Sequence, residues 1–150
     1  MAGSRVLKRL ARLRELEEEQ SRLELEYAAR QRAEVADGVN AAAEARAAGR
    51  RSFVRGVVEG DGLERVVGLT AMRQAEGRRT ALLPYLAEAD RQLALQRDEY
   101  LMRRTERRQV ETLMAEQRAE EEREAARRAQ QMLDDWYGRK RKPIESAPRK

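Results

Sequence analysis

Cysteine and histidine are both absent from this chain of 150 residues. Without cysteine there are no disulfides, no thiolate metal sites and no cysteine nucleophile, and nothing requires an oxidising compartment. Without histidine the chain lacks the usual general base near neutral pH and the commonest metal ligand. We therefore expect no enzymatic activity, no catalytic residues, no bound metal and no cofactor.

Aromatic residues and long apolar runs are also scarce. Aromatics make up 4% of the chain, and no apolar run approaches the roughly 20 residues that span a bilayer. The N-terminus lacks the apolar core of a signal peptide, so we expect a cytoplasmic protein that reaches a membrane only through partners. Charged residues are 39% of the chain, and many of the apolar ones are alanine, which buries little area. This composition favours a coiled coil over a globule.

Charge is distributed unevenly along the chain. Residues 139–150 hold six basic residues and one acidic residue, which accounts for the whole net charge of +5. The preceding 138 residues are balanced, with 26 residues of each sign, so they do not form a uniformly positive surface that would bind phosphates. We expect no nucleic-acid partner and interpret residues 139–150 as a flexible, disordered tail. Contact of its basic cluster with nucleic acid or anionic lipid is the alternative.

Apolar residues recur at helical spacing near the N-terminus, with mainly Arg and Glu between them. The positions of this stripe are Val6, Leu10, Leu13, Leu16, Gln20, Leu23 and Tyr27. The pattern predicts a helix that begins near Ser4, a plausible N-cap, with one apolar face. Gly38 and Gly49 should each cost about 1 kcal/mol relative to alanine, which predicts a weaker second half of this helix.

Three glycines interrupt the helical pattern within the seven residues 56–62. Glycine permits positive backbone angles, and Asp61 lies between two of these glycines. We predict that the chain reverses here. A kink or a restart of the helix is expected at Pro84, which lacks the donor that bonds one turn back.

The second helix carries a seven-residue repeat of the coiled-coil type, with many polar positions in its seam. The two sets of seam positions are Leu86, Leu93, Tyr100, Arg107 and Met114, and Ala89, Gln96, Arg103, Val110 and Gln117. Further along, Ala125, Ala129, Met132 and Trp136 form another apolar stripe, and Gly138 is a candidate C-cap. We expect the N-terminal stripe to pack against this last part, which would bring the first leucines to Trp136. The alternative role of Trp136, beside Tyr137, is to anchor a partner protein.

The predicted fold class is therefore all-α. Two long helices form an antiparallel coiled-coil hairpin over residues 1–138, with a turn at about 56–62, and the basic tail follows at 139–150.

Clusters of carboxylates do not predict an active site. Asp134 and Asp135 are adjacent, so on a helix they point about 100° apart and cannot form an acid/base dyad. The Glu-rich run at 120–124 lacks the converging oxygen ligands that calcium needs. The Gly60-Asp61-Gly62 sequence follows no predicted strand and lacks the third glycine of a dinucleotide-binding loop.

Two end segments carry the most specific motifs. The first is the Leu-rich start with Leu7, Leu10 and Leu13, followed by Arg14-Glu15 and an acidic run; the second is Gln131-Met-Leu-Asp-Asp-Trp136 with basic residues after it. Together with the break near residues 56–62, these segments resemble the FliJ family of flagellar export proteins and its injectisome counterparts, the YscO group.

The resemblance implies a component of the cytoplasmic type III export ATPase complex, which lies peripheral to the inner membrane. Members of the family form an antiparallel coiled coil, insert its terminal end into the hexameric export ATPase ring, contact the export gate and bind export chaperones. The matching ring-contact positions here are Leu7, Leu10, Leu13, Arg14, Met132, Asp134, Trp136 and Arg139. The corresponding gate-contact positions are Leu69, Met72 and Ala75.

Two other functions fit parts of the same pattern. One is a general structural or scaffolding coiled coil, for example a homodimeric spacer without an ATPase partner. The other is an Arg-rich nucleic-acid binder, which is disfavoured because the excess positive charge follows the heptads, whereas a basic zipper places it before them.

Overall fold

The computed structural model describes residues 2–141, which form two long helices. Helix α1 (Ala2–Glu59) and helix α2 (Gly62–Arg141) are joined by Gly60 and Asp61 and pack against each other. The predicted all-α hairpin is confirmed. The hairpin comprises two compact units: unit 1 combines Met1–Glu15 with Glu106–Lys150, and unit 2 is Leu16–Thr105. Residues 142–150 of the predicted tail lie outside the described residues. Helix α2 runs through Gly138 to Arg141, so Gly138 is not its C-cap.

The helices are antiparallel, as the ion pairs between them show. In unit 2, the residues paired between α1 and α2 are Arg55 with Glu64, Arg46 with Glu76, Arg32 with Asp90, and Glu17 with Arg103. In unit 1, the Arg14 guanidinium donates to the Glu106 carboxylate at 2.9 Å. Within each unit, residues earlier in α1 therefore lie beside residues later in α2, by a similar number of positions.

The turn is tighter than the seven residues predicted for it. Gly60 has a φ of 71°, the left-handed conformation that glycine adopts readily after a helix. Asp61 caps α2, since its Oδ1 atom accepts a hydrogen bond from the Glu64 amide at 3.1 Å. Its carbonyl also accepts one from the Arg65 amide at 3.2 Å. Gly56 belongs to α1.

The predicted seam of α2 is confirmed. All ten heptad positions from Leu86 to Gln117 are buried or half-buried, and the same repeat extends back to Met72 and Gly68. The restart of the helix predicted at Pro84 is wrong, because α2 is one continuous helix there; a kink at this position stays a prediction. Pro84 is exposed, whereas Leu82 and Leu86 on either side lie in the seam. Loss of one backbone hydrogen bond on the solvent side therefore does not end the helix.

The seam of α1 is not the predicted leucine stripe. In unit 2 the buried side of α1 is a heptad of small residues together with one valine: Ser21, Ala28, Val35, Ala42, Gly49 and Gly56. Leu16, Leu23 and Tyr27 are exposed. Leu23 follows Ser21 by two residues and so points about 200° away from it around the helix. In unit 1, Val6 and Leu13 are likewise exposed.

Small residues form the seam because the two backbones come close together. A Cβ atom added to Gly68 would collide with the backbone nitrogen of Phe53 and lie 2.7 Å from the carbonyl oxygen of Gly49. A Cβ atom on Gly49 would lie 3.0 Å from the carbonyl oxygen of Gly68. Gly49, which the sequence alone presents as a weakness, therefore allows the two helices to pack closely.

The glycines of α2 provide a matched test of this close approach. We expect Gly68→Ala to lower the free energy of unfolding by about 1–3 kcal/mol, because the backbone of α1 has to move away. Gly77→Ala should instead raise it by up to about 1 kcal/mol, because nothing lies within 4 Å of an added Cβ at Gly77. Urea denaturation followed by circular dichroism measures both effects. Equal stabilisation by the two substitutions would contradict the close approach at Gly68.

Candidate partner-binding surfaces

Unit 1 contains a stretch of α2 that the described part of α1 does not cover. Leu7 of α1 lies beside Met114 and Gln117 of α2. Helix α1 begins at Ala2, five residues before Leu7. Because the helices are antiparallel, Ala2 lies level with Ala119, which is five residues after Met114. Beyond that point every residue from Glu120 to Arg141 is exposed. We call Glu120–Arg141 the C-terminal extension; its 22 residues span about 33 Å at the helical rise.

Aromatic residues cluster on the C-terminal extension. The Trp136 and Tyr137 rings meet edge to face, with centroids 5.0 Å apart and an interplanar angle of 77°. The Lys140 Nζ atom lies 4.0 Å from the Trp136 ring centroid, in a cation–π contact. Trp136 nevertheless stays 50% exposed and Met132 is 73% exposed. Exposed Trp and Tyr side chains of this kind carry much of the energy at protein interfaces.

The eight predicted ring-contact residues form two separate sets. Leu7 and Leu10 are half-buried, Leu13 is exposed, and Arg14 is paired with Glu106. The other set lies on the C-terminal extension and consists of Met132, Asp134, Trp136 and Arg139. There the Asp134 carboxylate accepts a hydrogen bond from Gln130 at 2.9 Å.

The expected packing of the first leucines against Trp136 is therefore wrong. Leu7 lies beside Met114, and Met132 is 18 residues further along α2, or about 27 Å at the helical rise. The reason is the position of the turn. The 58 residues of α1 lie against a similar number of residues of α2, which has 80.

The three predicted gate-contact residues, all in unit 2, differ in exposure. Ala75 is 3% exposed and belongs to the seam, so it is not available to a partner in this conformation. Met72 is half-buried, and its amide lies 3.0 Å from a Cβ atom added to Gly49. Leu69 is exposed. Of the three, Leu69 is the most accessible to a partner.

Sequence reasoning missed an apolar surface around the turn of unit 2. Its members are large, exposed side chains on both helices, which we call the turn patch: Val54, Val57, Val58, Leu63, Val66 and Val67. Val58 is the most exposed of them, at 80%. The signal in the sequence was the density of valines on both sides of the glycine-rich reversal, where neither helix continues to cover them.

Unit 2 also has an open groove between its helices, with a volume of about 660 Å³. Leu23 and Tyr27 of α1 and Tyr85 of α2 line it, together with several glutamines. One of these, Gln96, has a buried Oε1 atom without a hydrogen-bond partner among the described residues. The groove thus combines apolar side chains with amides that can bond to a peptide or a helix.

The described residues show no cluster of acidic side chains suited to binding a metal ion: no group of three or more Asp and Glu residues in 2–141 could hold one. A hydrogen bond from Arg22 holds the pKa of Glu19 below its usual value, and hydrogen bonds from Gln92 and Arg91 do the same for the pKa of Glu88. Both are ordinary exposed contacts along one helix. Neither helix, over the part described, is long and apolar enough to cross a membrane.

No protein-family model matches the chain, and comparisons with curated proteins and with solved structures found no match. The likeness to the FliJ and YscO proteins therefore depends on the two end segments of the sequence and on the helical hairpin.

Two neighbouring leucines can establish which face of α1 forms the seam. Leu25 is half-buried, whereas Leu23 is 53% exposed. We expect Leu25→Glu to lower the free energy of unfolding by about 2 kcal/mol or more, because a carboxylate would be placed in the seam. Leu23→Glu should change it by no more than about 0.5 kcal/mol. Denaturation curves of the two variants measure the difference, and a larger loss for Leu23→Glu would contradict the seam described here.

Proposed function

We propose that this chain is a non-enzymatic coiled-coil stalk of a bacterial type III protein export apparatus, flagellar or injectisome. In this role it is cytoplasmic, lies peripheral to the inner membrane through its partners, and contacts the hexameric export ATPase, the cytoplasmic domain of the export gate and export chaperones. In the flagellar case the process served is flagellum assembly, and hence motility.

The observation that carries the proposal is the C-terminal extension. It is a single exposed helix, about 10–12 Å wide with side chains, and it carries Trp136, Tyr137 and Met132 at its surface. A single helix can enter the opening of a ring more easily than a bundle can. Leu7 lies level with Met114, about 27 Å before Met132 along the helix axis, and Arg14 lies level with Glu106, about 39 Å before it. A ring that contacts both sets therefore has to cover at least that length.

The other exposed surfaces suit the remaining partners. The export gate would contact Leu69 and the turn patch of unit 2, and a chaperone helix would fit the groove lined by Leu23, Tyr27 and Tyr85. These are apolar surfaces with polar borders, which is the usual composition of sites that bind another protein.

The mechanism would be mechanical and requires no chemistry in the stalk. One asymmetric helix inside a six-fold ring cannot contact all six subunits equally. It therefore favours different conformations in different subunits, and its binding energy can promote assembly and turnover of the ring. Contact of the same chain with the gate would couple the two partners, and such coupling is reciprocal.

A scaffolding coiled coil without an ATPase partner is the second candidate. The turn patch favours it, since six large apolar side chains can bind many kinds of protein. The two candidates differ in whether the C-terminal extension changes the rate of an export ATPase.

Trp136→Ala tests the stalk proposal. We expect it to reduce stimulation of the cognate export ATPase at least tenfold at a fixed stalk concentration, because loss of a central aromatic contact typically costs 2 kcal/mol or more. Helicity should not change, since Trp136 contacts only its own helix among the described residues. Steady-state ATP hydrolysis by the ATPase, measured with increasing stalk concentration, gives the result.

The matched control is Tyr85→Ala. Tyr85 is an aromatic residue exposed to a similar extent, but it lies in unit 2. This variant should stimulate the ATPase as the unmodified chain does. If both variants stimulate normally, or if deletion of residues 129–150 leaves stimulation intact, the C-terminal extension does not bind the ring.

A further inference from the structure

The apolar side of the C-terminal extension does not continue the seam of the hairpin. Continuing the heptad of Val110 and Gln117 leads to Glu124 and Gln131, which are polar. The apolar stripe Ala125, Ala129, Met132 and Trp136 lies one residue after successive seam positions, or about 100° around the helix. A continuation of α1 in the same register would therefore face charges, whereas the stripe needs a different helix to cover it.

The order of the side chains in this stripe indicates the direction of that helix. Two small residues are followed by two large ones, at steps of four, three and four. If a second copy of the extension runs antiparallel, Trp136 lies opposite Ala125 and Met132 lies opposite Ala129. Each layer then combines one large side chain with one small side chain. In a parallel pair, large residues would meet large and small would meet small.

The charges of the extension complement each other in the same antiparallel alignment. Glu122 faces Arg139 of the other copy in the next layer, and Arg128 faces Asp135 at the edge of the stripe. By symmetry each of these pairs occurs twice. None of these pairs brings like charges together.

These charges can change partners at little cost. In the single chain, Arg128 pairs with Glu124 at 3.2 Å, and both side chains are at least half exposed. Exposed ion pairs within one helix contribute only a few tenths of a kcal/mol. Exchanging them for pairs between chains therefore loses little, while the apolar stripe becomes covered.

We propose that two copies of this chain associate through their C-terminal extensions, antiparallel, with the two-fold axis between Gln130 and Gln131. The interface is short, so the dimer belongs to the weak class that buries less than about 1,200 Å². The dimer covers Met132 and Trp136, which makes it incompatible with any other partner on the same stripe. The proposal concerns the chain alone and does not depend on the ATPase.

Charge exchange tests the pairing on the full chain. Sedimentation equilibrium of the unmodified protein at low salt should show a monomer–dimer equilibrium. Arg128→Asp and Asp135→Arg should each raise the dissociation constant at least about tenfold, because each turns two attractive contacts into two repulsive ones; a tenfold change corresponds to 1.4 kcal/mol. An equal mixture of the two variants should recover dimerisation as a heterodimer, and so should the double variant. Asp98→Arg, an exposed position in unit 2, is the matched control and should leave the dissociation constant unchanged.

Cysteine cross-linking tests the direction, since the chain has no cysteine of its own. A mixture of the Ala129→Cys and Met132→Cys variants should form a disulfide-linked dimer on mild oxidation, whereas Ala125→Cys alone should not. A protein that stays monomeric at all concentrations, a mixture of charge variants that fails to associate, or efficient cross-linking of Ala125→Cys to itself would each overturn the proposal.

Discussion

The close contact between the backbones of α1 and α2 in unit 2 determines much of the rest of this structure. Gly49 and Gly68 lie so close that neither can carry a side chain without movement of the opposite helix. The contact fixes which residues face each other, because a shift by one heptad would place Ala75 or Asp61 in the position of Gly68, where a Cβ atom collides with the backbone of α1. The tight turn at Gly60 and Asp61 has the same effect on register.

A seam of small residues has an energetic consequence. Alanine, serine and glycine bury little apolar area, so each layer contributes less than a leucine layer would. The exposed ion pairs between the helices, Arg32 with Asp90 and Arg46 with Glu76, add little. The hairpin is therefore held by many weak layers, while larger apolar residues such as Leu23 and Tyr27 remain on the surface. This distribution suits a protein whose apolar side chains contact partners.

The sequence predicted α2 better than α1, for a reason that lies in the size of the side chains. In α2 the large apolar residues Leu86, Leu93 and Met114 are themselves seam residues, so hydrophobic periodicity identified the correct face. In α1 the most hydrophobic stripe, with Leu16 and Leu23, is exposed and lies outside the seam, and the real seam of Ser21, Ala28 and Ala42 has little hydrophobic signal. Periodicity measures hydrophobicity and not closeness of approach. Repeated small residues at steps of seven were the signal that could have shown the correct face.

The C-terminal extension results from the difference in length between the two helices. The sequence indicates these lengths, but hydrophobic periodicity does not use them. Two antiparallel helices that leave a turn at Gly60 and Asp61 can cover each other only over equal lengths, and α2 is 22 residues longer than α1. Counting residues outward from the turn along each helix is enough to separate Leu7 from Trp136. The turn patch was not predicted for a different reason. Its valines fit a helical pattern, and that pattern does not show whether another helix covers them.

In the C-terminal extension, the residues that favour a helix differ from the residues available to bind a partner. Alanine, glutamate and arginine have high helix propensity, and ion pairs such as Arg123 with Glu120 and Arg128 with Glu124 support the helix locally. Because the extension continues α2, it needs no helix nucleus of its own. Met132 and Trp136 add no helix propensity over alanine, and their exposure carries a cost in solvation. Their presence on one stripe is consistent with the proposed partner, which would cover them.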